Sequence, residues 1–429
     1  MLTMLAKVQN IIGTLLISGL LASVHAENQQ YSILNASQYH QQVNDSRHKI
    51  NNILHELKGY RNQDKNRQVA YIVKRLSDIP SPFNASEGIG EGDWQPKSFT
   101  YKPGAIHINQ NPVYRLDFLD CQTFVQVALA LLYSNSLNQF DRNYLKISYG
   151  SAGNPNNEMV HYYNRNHFID ADFNPINQRN GWLTDVTSQG VLSSHASVST
   201  AKFNRKNWFL QQQKNLTEHV RVLNRVNGPA MAKRFATLYL KNNNRNFTLR
   251  KITLSYLDKN KLVIKKPDGK YQPNTFLFDE IPTPAIAEIA SDMKDMKNSL
   301  GTEFNVSHLG LIYRETFQYG ELIYQRITCV IDAKNEKQCQ VNPIICQKKY
   351  CNELMFAHAT QSHPNRHYWY QNKDGSFICS SNKPLHKKFT RCNRVEQLPF
   401  FDYLTDYQYG SHWRMEDPTV LGIHIEKLS

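Results

Sequence analysis

The chain reads as an α+β protein, and three observations predict it. Apolar residues recur at helical spacing through the first part of the chain, as in Ile50, Ile53, Leu54, Leu57 and again Val69, Ile72, Val73, Leu76. From about residue 249 onward, short apolar and β-branched runs dominate instead. Six of the seven cysteines (Cys329, Cys339, Cys346, Cys351, Cys379, Cys392) crowd into the last quarter, which predicts a stapled insertion among those strands.

Residues 1–26 have the form of a secretory signal peptide. One charge, Lys7, precedes an apolar run over residues 11–24, and Val24 and Ala26 take the small-residue positions of a cleavage site. The run is about 14 residues, short of the roughly 18 that span a bilayer. No cysteine follows it, which argues against a lipid anchor, and no later segment is apolar enough to span a membrane. The mature chain is expected to be soluble and exported, to the periplasm or beyond. Residues 27–82 form an N-terminal helical segment closed by Ile79-Pro80-Ser81-Pro82.

Residues 83–429 make the main domain. A loop with Gly88, Gly90 and Gly92 leads to an extended stretch ending at Leu119, and residues 121–134 form an apolar helix. Residues 146–187 are mixed, with a strand-like Ile147, and residues 201–239 read as helical and basic. Strands are expected at 249–256 and 262–264, a short helix at 285–300 after Pro282-Thr283-Pro284, and strands at 304–313, 322–328 and 354–360. Additions lie near 190–300 and a Cys-rich insertion near 314–353.

The formal net charge is +14, which attracts polyanions. An exported setting favours a cell-wall polymer or anionic lipid, and nucleic acid is not expected as a partner. Export also permits disulfides. Six cysteines form three bridges in one of 15 connectivities, and no Cys-x-x-Cys pair suggests zinc. Cys121 is then left free. It opens the apolar helix, where the positive end of the helix dipole favours a thiolate. The alternative is a buried core thiol.

Cysteine hydrolysis of an amide needs a thiolate, a histidine that shuttles its proton, and a group that orients the histidine. Cys121, His308 on one strand and His358 on a later strand supply those residue types. The chain has 16 histidines, and His363, His367 and His424 are substitutes for the third role. Asp120, Arg165, His167 and Trp182 are candidate substrate contacts: Arg165 for a carboxylate, His167 for a sugar hydroxyl, Trp182 for a sugar face. Their alternative is scaffold. No His-Glu-x-x-His occurs, and neither metal nor cofactor is expected.

Taken in order, these segments resemble a known family. Asp120-Cys121-Gln122-Thr123-Phe124-Val125 is similar to the nucleophile helix of the N-acetylmuramoyl-L-alanine amidase-like family, within the NlpC-type cell-wall cysteine amidases. Arg165-Asn166-His167-Phe168, Asn177 and Asp185-Val186-Thr187 resemble its segment between helix and sheet. Ser307-His308-Leu309-Gly310 resembles its catalytic histidine strand, and Phe356-Ala357-His358-Ala359-Thr360 the strand of the third polar residue. The departure is the insertion, which separates two histidine strands that lie close together in the family. The resemblance implies a papain-like core, with the nucleophile helix packed on an antiparallel sheet. It implies an exported cysteine amidase that cuts the bond between N-acetylmuramic acid and L-alanine in peptidoglycan or a muropeptide. Alternatives are a γ-D-glutamyl-diamino acid endopeptidase or other cysteine peptidase on the same core, or a cell-wall-binding module without activity.

Overall fold

The computed structural model describes residues 36–77, 79–81, 114–150, 165–208, 211, 249–331, 337–359, 368–371, 377–380, 394–405, 407–408 and 411–429. The signal peptide, the loop with Gly88 to Gly92, and His363 and His367 lie outside them.

Four helices come first. Helices α1 (Ala36–Leu57) and α2 (Lys65–Leu76) bury the apolar stripes read from the sequence. Helix α3 (Cys121–Leu132) is buried at every position, its polar Gln122, Thr123 and Gln126 each with a hydrogen-bond partner. Helix α4 (Leu137–Tyr149) includes Ile147, which the sequence places in a strand. The apolar side chains of Phe140, Tyr144 and Ile147 recur at helical spacing and bury together, and that outweighs the β preference of one isoleucine.

Both ends of α3 are satisfied. At its start the Asp120 carboxylate accepts the Thr123 amide at 2.6 Å, while the Thr123 hydroxyl accepts the Asp120 N–H at 2.8 Å, a reciprocal cap. At its end the Arg61 guanidinium donates to the carbonyls of Leu131 and Leu132, at 3.0 and 2.5 Å. Those are orphan acceptors of the last turn. Arg61 lies between α1 and α2, so it ties the N-terminal helices to α3. Arg47 of α1 bonds Asp141 of α4 at 2.9 Å, closing the bundle.

A short helix α5 (Asn174–Arg179) precedes the sheet. The strands are β1 (Leu183–Asp185), β2 (Ala196–Phe203), β3 (Arg250–Asp258), β4 (Val263–Lys265), β5 (Tyr271–Pro273), β6 (Ala285–Ser291), β7 (Val306–Gln318), β8 (Leu322–Ile331), β9 (Lys337–Ile345) and β10 (Tyr350–Ala359). After β11 (Tyr368–Gln371), β12 (Phe377–Ser380) and β13 (Val395–Pro399) comes a helix, α6 (Phe400–Thr405). Strands β14 (Tyr407–Gln408), β15 (Ser411–His412) and β16 (Val420–Leu428) follow. The main sheet has eight strands in the order β13-β10-β7-β6-β16-β3-β2, with β1 against β16. Every pairing in it is antiparallel.

Two expected helices are corrected in part. Residues 201–203 end strand β2 while 205–208 are helical as expected, and 285–291 are strand β6, with helical turns only at Lys294–Met296 and Lys297–Leu300. All seven residues of β6 are buried. Strand β6 is central and covered on both faces, so it carries no polar alternation, and its alanines read as helix formers from sequence alone. The rest of the basic helix expected near 201–239 is outside the described residues beyond residue 211.

The sheet divides two cores. Leu309, Leu311, Tyr313, Met355 and Ala357 face the bundle of α1 to α4. Ile312, Leu354 and Phe356 face away, against Phe400, Tyr403 and Leu404 of α6. The Cys-rich insertion is a separate β8–β9 hairpin in which Cys329 stands opposite Cys339. A disulfide, Cys346–Cys351, closes its base. Strands β7 and β10 pair directly across that insertion. Among the described residues no helix is long and apolar enough to cross a membrane.

A charged group is sealed inside. His424 of β16 bonds Glu426 at 3.0 Å and the Ser255 carbonyl at 2.8 Å. Glu288, opposite His424 on β6, accepts from Asn174 at 3.0 Å, and Glu426 accepts from Gln178 at 2.5 Å. Burial opposes the charge on His424. The Glu426 hydrogen bond and the charges of Glu288, Glu426 and Asp185 outweigh it and raise the histidine to about 9. Burial raises the Glu288 carboxyl as well. Both raised groups bind protons more tightly folded than unfolded, so their stabilisation is lost as pH rises. The thermal unfolding midpoint is therefore expected to fall between about pH 6.5 and 9, and His424→Gln should flatten that decline. Circular-dichroism melts across the range provide the check.

Candidate active site

The chain positions the site where four element ends coincide: the start of α3, the start of β7, the end of β10 and the start of β13. Strands β7 and β10 run antiparallel in the register Ala357↔Leu311, so His308 and His358 fall together just past the last paired residues. Their rings bond, Nε2 of His308 to Nδ1 of His358 at 2.9 Å. On the far side of His358, Nε2 stands 3.7 Å from Oε1 of Glu396, its partner across β10 and β13. Sequence reading did not single out Glu396, because nothing near it in the chain is chemically distinctive.

The glycine of Ser307-His308-Leu309-Gly310 has a packing role. A Cβ at Gly310 would stand 2.4 Å from the Ala357 carbonyl and 2.6 Å from the Phe356 ring. That ring stacks on His358 at 4.9 Å and meets Tyr403 at a tilt, at 4.3 Å. Tyr403 is itself capped by the Arg414 guanidinium at 3.5 Å. Tyr403 and Arg414 complete the wall of the histidine pair, and sequence reading missed both. Only the fold brings residues so far along the chain beside β7.

Cys121 is buried and is a free thiol. It belongs to the bundle-side core, whereas strand alternation turns His308 and His358 to the α6 side. The two sides meet at the strand ends. There the Leu309 N–H, next after His308, faces the Cys121 sulfur together with the N–H groups of Gln122 and Cys121 itself. Asp120 takes the Thr123 amide, which leaves the first two amides of α3 for the sulfur. A charge on that sulfur is also felt at Tyr403.

The resting protonation differs from the expected thiolate and imidazolium. Burial, then the neighbouring Asp120 carboxylate, push the Cys121 thiol up to about 12, and the backbone donors only partly oppose them. Burial, then the positive Arg414, push His308 down to about 3. The physical reason is that the helix-start advantage is offset by desolvation and by the anionic cap. The resting pair is a neutral thiol and a neutral imidazole.

The other candidates are placed as follows. Asp120 is buried as the α3 cap. Arg165 is 1% exposed and donates to Gln126 of α3 inside the bundle. His167 packs its ring on Trp208 at 5.2 Å. Trp182 packs on Tyr133 at 4.8 Å, beside the last residue of α3, so the length of that helix separates it from Cys121. Asn166 and Asn177 both donate to the Ile147 carbonyl, and Thr187 accepts the Ile425 N–H at 2.7 Å. In these segments polar side chains satisfy buried backbone. His424 is held in the sealed charged group described above, level with Leu309 and so on the opposite face of the sheet from His308. Among the described residues no group of three or more His, Cys, Asp or Glu side chains is arranged to hold a metal ion.

Two outcomes follow from this geometry. Gly310→Ala should cost at least about 2 kcal/mol in denaturant unfolding, since its Cβ meets backbone and a packed ring. Asp120→Asn keeps a good cap and removes the negative charge beside the sulfur. Its Cys121 should therefore alkylate with iodoacetamide faster than wild type at each pH from 6 to 9. Slower alkylation would mean that Asp120 favours the thiolate.

A crystal structure of protein LPG0564 from Legionella pneumophila str. Philadelphia 1 shares the fold. It is 21% identical with a TM-score of 0.56, covering 92% of this chain and 97% of that one. No curated protein matches the chain. Residues 101–327 match the family model described as N-acetylmuramoyl-L-alanine amidase-like, a span with Cys121 and His308 inside it and His358 beyond it. That span is more than half of the chain, and the chain belongs to the N-acetylmuramoyl-L-alanine amidase-like family.

Proposed function

We propose that the protein is an exported cysteine amidase with a papain-like core, cutting the amide between N-acetylmuramic acid and L-alanine in peptidoglycan or its fragments. One observation carries the reading: the bonded His308–His358 pair stands at the strand end where the Leu309 amide meets the Cys121 thiol. Family membership supports the substrate class. The Cys346–Cys351 bridge suits an oxidising compartment outside the cytoplasm, where that polymer lies.

The chemistry starts from the neutral pair. His358 occupies Nε2 of His308, so Nδ1 is the nitrogen left to accept the thiol proton. As it does so, the Cys121 sulfur attacks the lactyl carbonyl carbon and the carbonyl electron pair moves onto oxygen. The amides of Cys121, Gln122 and Leu309 that face the sulfur are placed to donate to that oxyanion. The intermediate collapses, the C–N bond breaks, and the His308 imidazolium gives its proton to the departing L-alanyl amine. A thioester remains. Water, deprotonated by His308, attacks it and releases the muramic acid carboxylate and the thiol. Asp120 acts on this site as the cap of the nucleophile helix. Arg165, bonded to Gln126 of α3, supports the nucleophile helix, and His167 and Trp182 pack on aromatic neighbours.

Mass spectrometry of products from defined muropeptides tests the reading. The expected product is a sugar-free stem peptide that still begins with L-alanine. Cys121→Ala should lower its rate by at least about a thousandfold. A product in which muramic acid still carries L-alanyl-D-glutamate, beside a peptide that begins with the diamino acid, would identify a γ-D-glutamyl endopeptidase instead. Equal rates for Cys121→Ala and wild type would remove the nucleophile assignment.

A further inference from the structure

We propose that Glu396 is a positioning residue, the carboxylate end of a relay Cys121–His308–His358–Glu396. This rests on the reading of Cys121 and His308 as nucleophile and base. It adds a residue from β13, beyond the segment that matches the family model.

The argument begins with tautomers. If Nδ1 of His308 takes the thiol proton, the neutral His308 carries its hydrogen on Nε2 and donates it to Nδ1 of His358 at 2.9 Å. His358 accepts at Nδ1 and so carries its own hydrogen on Nε2. Oε1 of Glu396 stands 3.7 Å from that nitrogen, within ion-pair distance rather than direct hydrogen-bond distance. The two rings share one hydrogen bond, and the carboxylate beyond them brings a negative charge.

The placement is held by backbone. Glu396 is the direct cross-strand partner of His358. The Val395 amide just before it bonds the Ile79 carbonyl at 2.9 Å, and the Leu119 amide bonds the Pro80 carbonyl at 3.0 Å. Residues 79–80 therefore clamp the strand of Glu396 and the approach to Cys121 in one place.

Charge gives the relay its use. Around the pair stand Arg414, whose positive charge opposes an imidazolium on His308, Tyr403, and on the α3 side Asp120 and Cys121. When the thiol proton reaches His308, the ring becomes positive beside a cation. Glu396 is the anion aligned to offset it, through His358. The charge of Glu396 is also felt at Tyr403. Its side chain is 23% exposed, so its influence is modest compared with that of a fully buried carboxylate.

The full chain is tested with Glu396→Gln, which keeps shape and acceptor but removes charge, and with Glu396→Asp, which keeps charge. Two readouts are used: the iodoacetamide alkylation rate of Cys121 from pH 5 to 9, which needs no substrate, and kcat and KM on a muropeptide. Glu396→Gln should slow alkylation near pH 7 about fivefold and lower kcat about tenfold, with KM within about twofold. Glu396→Asp should recover part of both. Alkylation that depends on Glu396 and His308 but comes without muropeptide turnover would uphold the relay and overturn the amidase reading. Turnover that Cys121→Ala abolishes and Glu396→Gln leaves within twofold, with alkylation equally unmoved, would overturn the relay alone. Alkylation unmoved by both Glu396→Gln and His308→Ala would overturn it as well.

Discussion

The antiparallel pairing of β7 with β10 is the constraint on which the site depends. One register, Ala357 opposite Leu311, brings the start of one strand to the end of the other. A shift of one residue would turn His308 or His358 to the opposite face and separate the rings. Gly310 makes the register possible, because the Phe356 ring and the Ala357 carbonyl occupy the space a side chain would need. The same ring then fixes His358 and Tyr403. Pairing, glycine, aromatic wall and histidine bond are one packing arrangement.

The insertion that separates the two histidine strands in sequence does not separate them in space. It leaves the sheet as its own hairpin, β8 with β9, and returns through the Cys346–Cys351 bridge. Loop-closure cost grows only slowly with length, and a short bridge at the base makes the return local. The strands on either side pair as they would across a tight turn. Strand β13 also pairs with β10, which brings Glu396 beside His358.

Helix α3 carries a compromise between stability and reactivity. It is buried along its whole length, and its Asp120 cap secures the first turn. Burial and an adjacent carboxylate are also what keep the Cys121 thiol protonated at rest. The helix start favours a thiolate in isolation, and here that preference is outweighed. In the proposed reaction proton transfer to His308 accompanies attack, which gives the surroundings of the histidine pair, Arg414 and Glu396 among them, their weight.

Much of this was legible in the chain. The periodic stripes of α1 and α2, the buried helix opened by Asp120-Cys121, strands β3, β7, β8 and β10, and the odd cysteine all follow from local pattern, since helix and strand burial repeat at fixed spacing. Ala285–Ser291 misled because a strand covered on both faces shows no alternation. Arg165 and Trp182 carried chemistry attractive in a sequence, yet one lies inside the bundle and the other at the far end of α3. Which histidine stands beside His308, and that Glu396, Tyr403 and Arg414 surround the pair, depended on strand register and on α6 packing over the sheet. Those are contacts between residues many tens of positions apart, and local pattern carries no record of them. The sequence by itself determined the residue types that can do the chemistry and the elements that hold them. Only the tertiary structure decided which of them meet, because register and burial set distance and protonation.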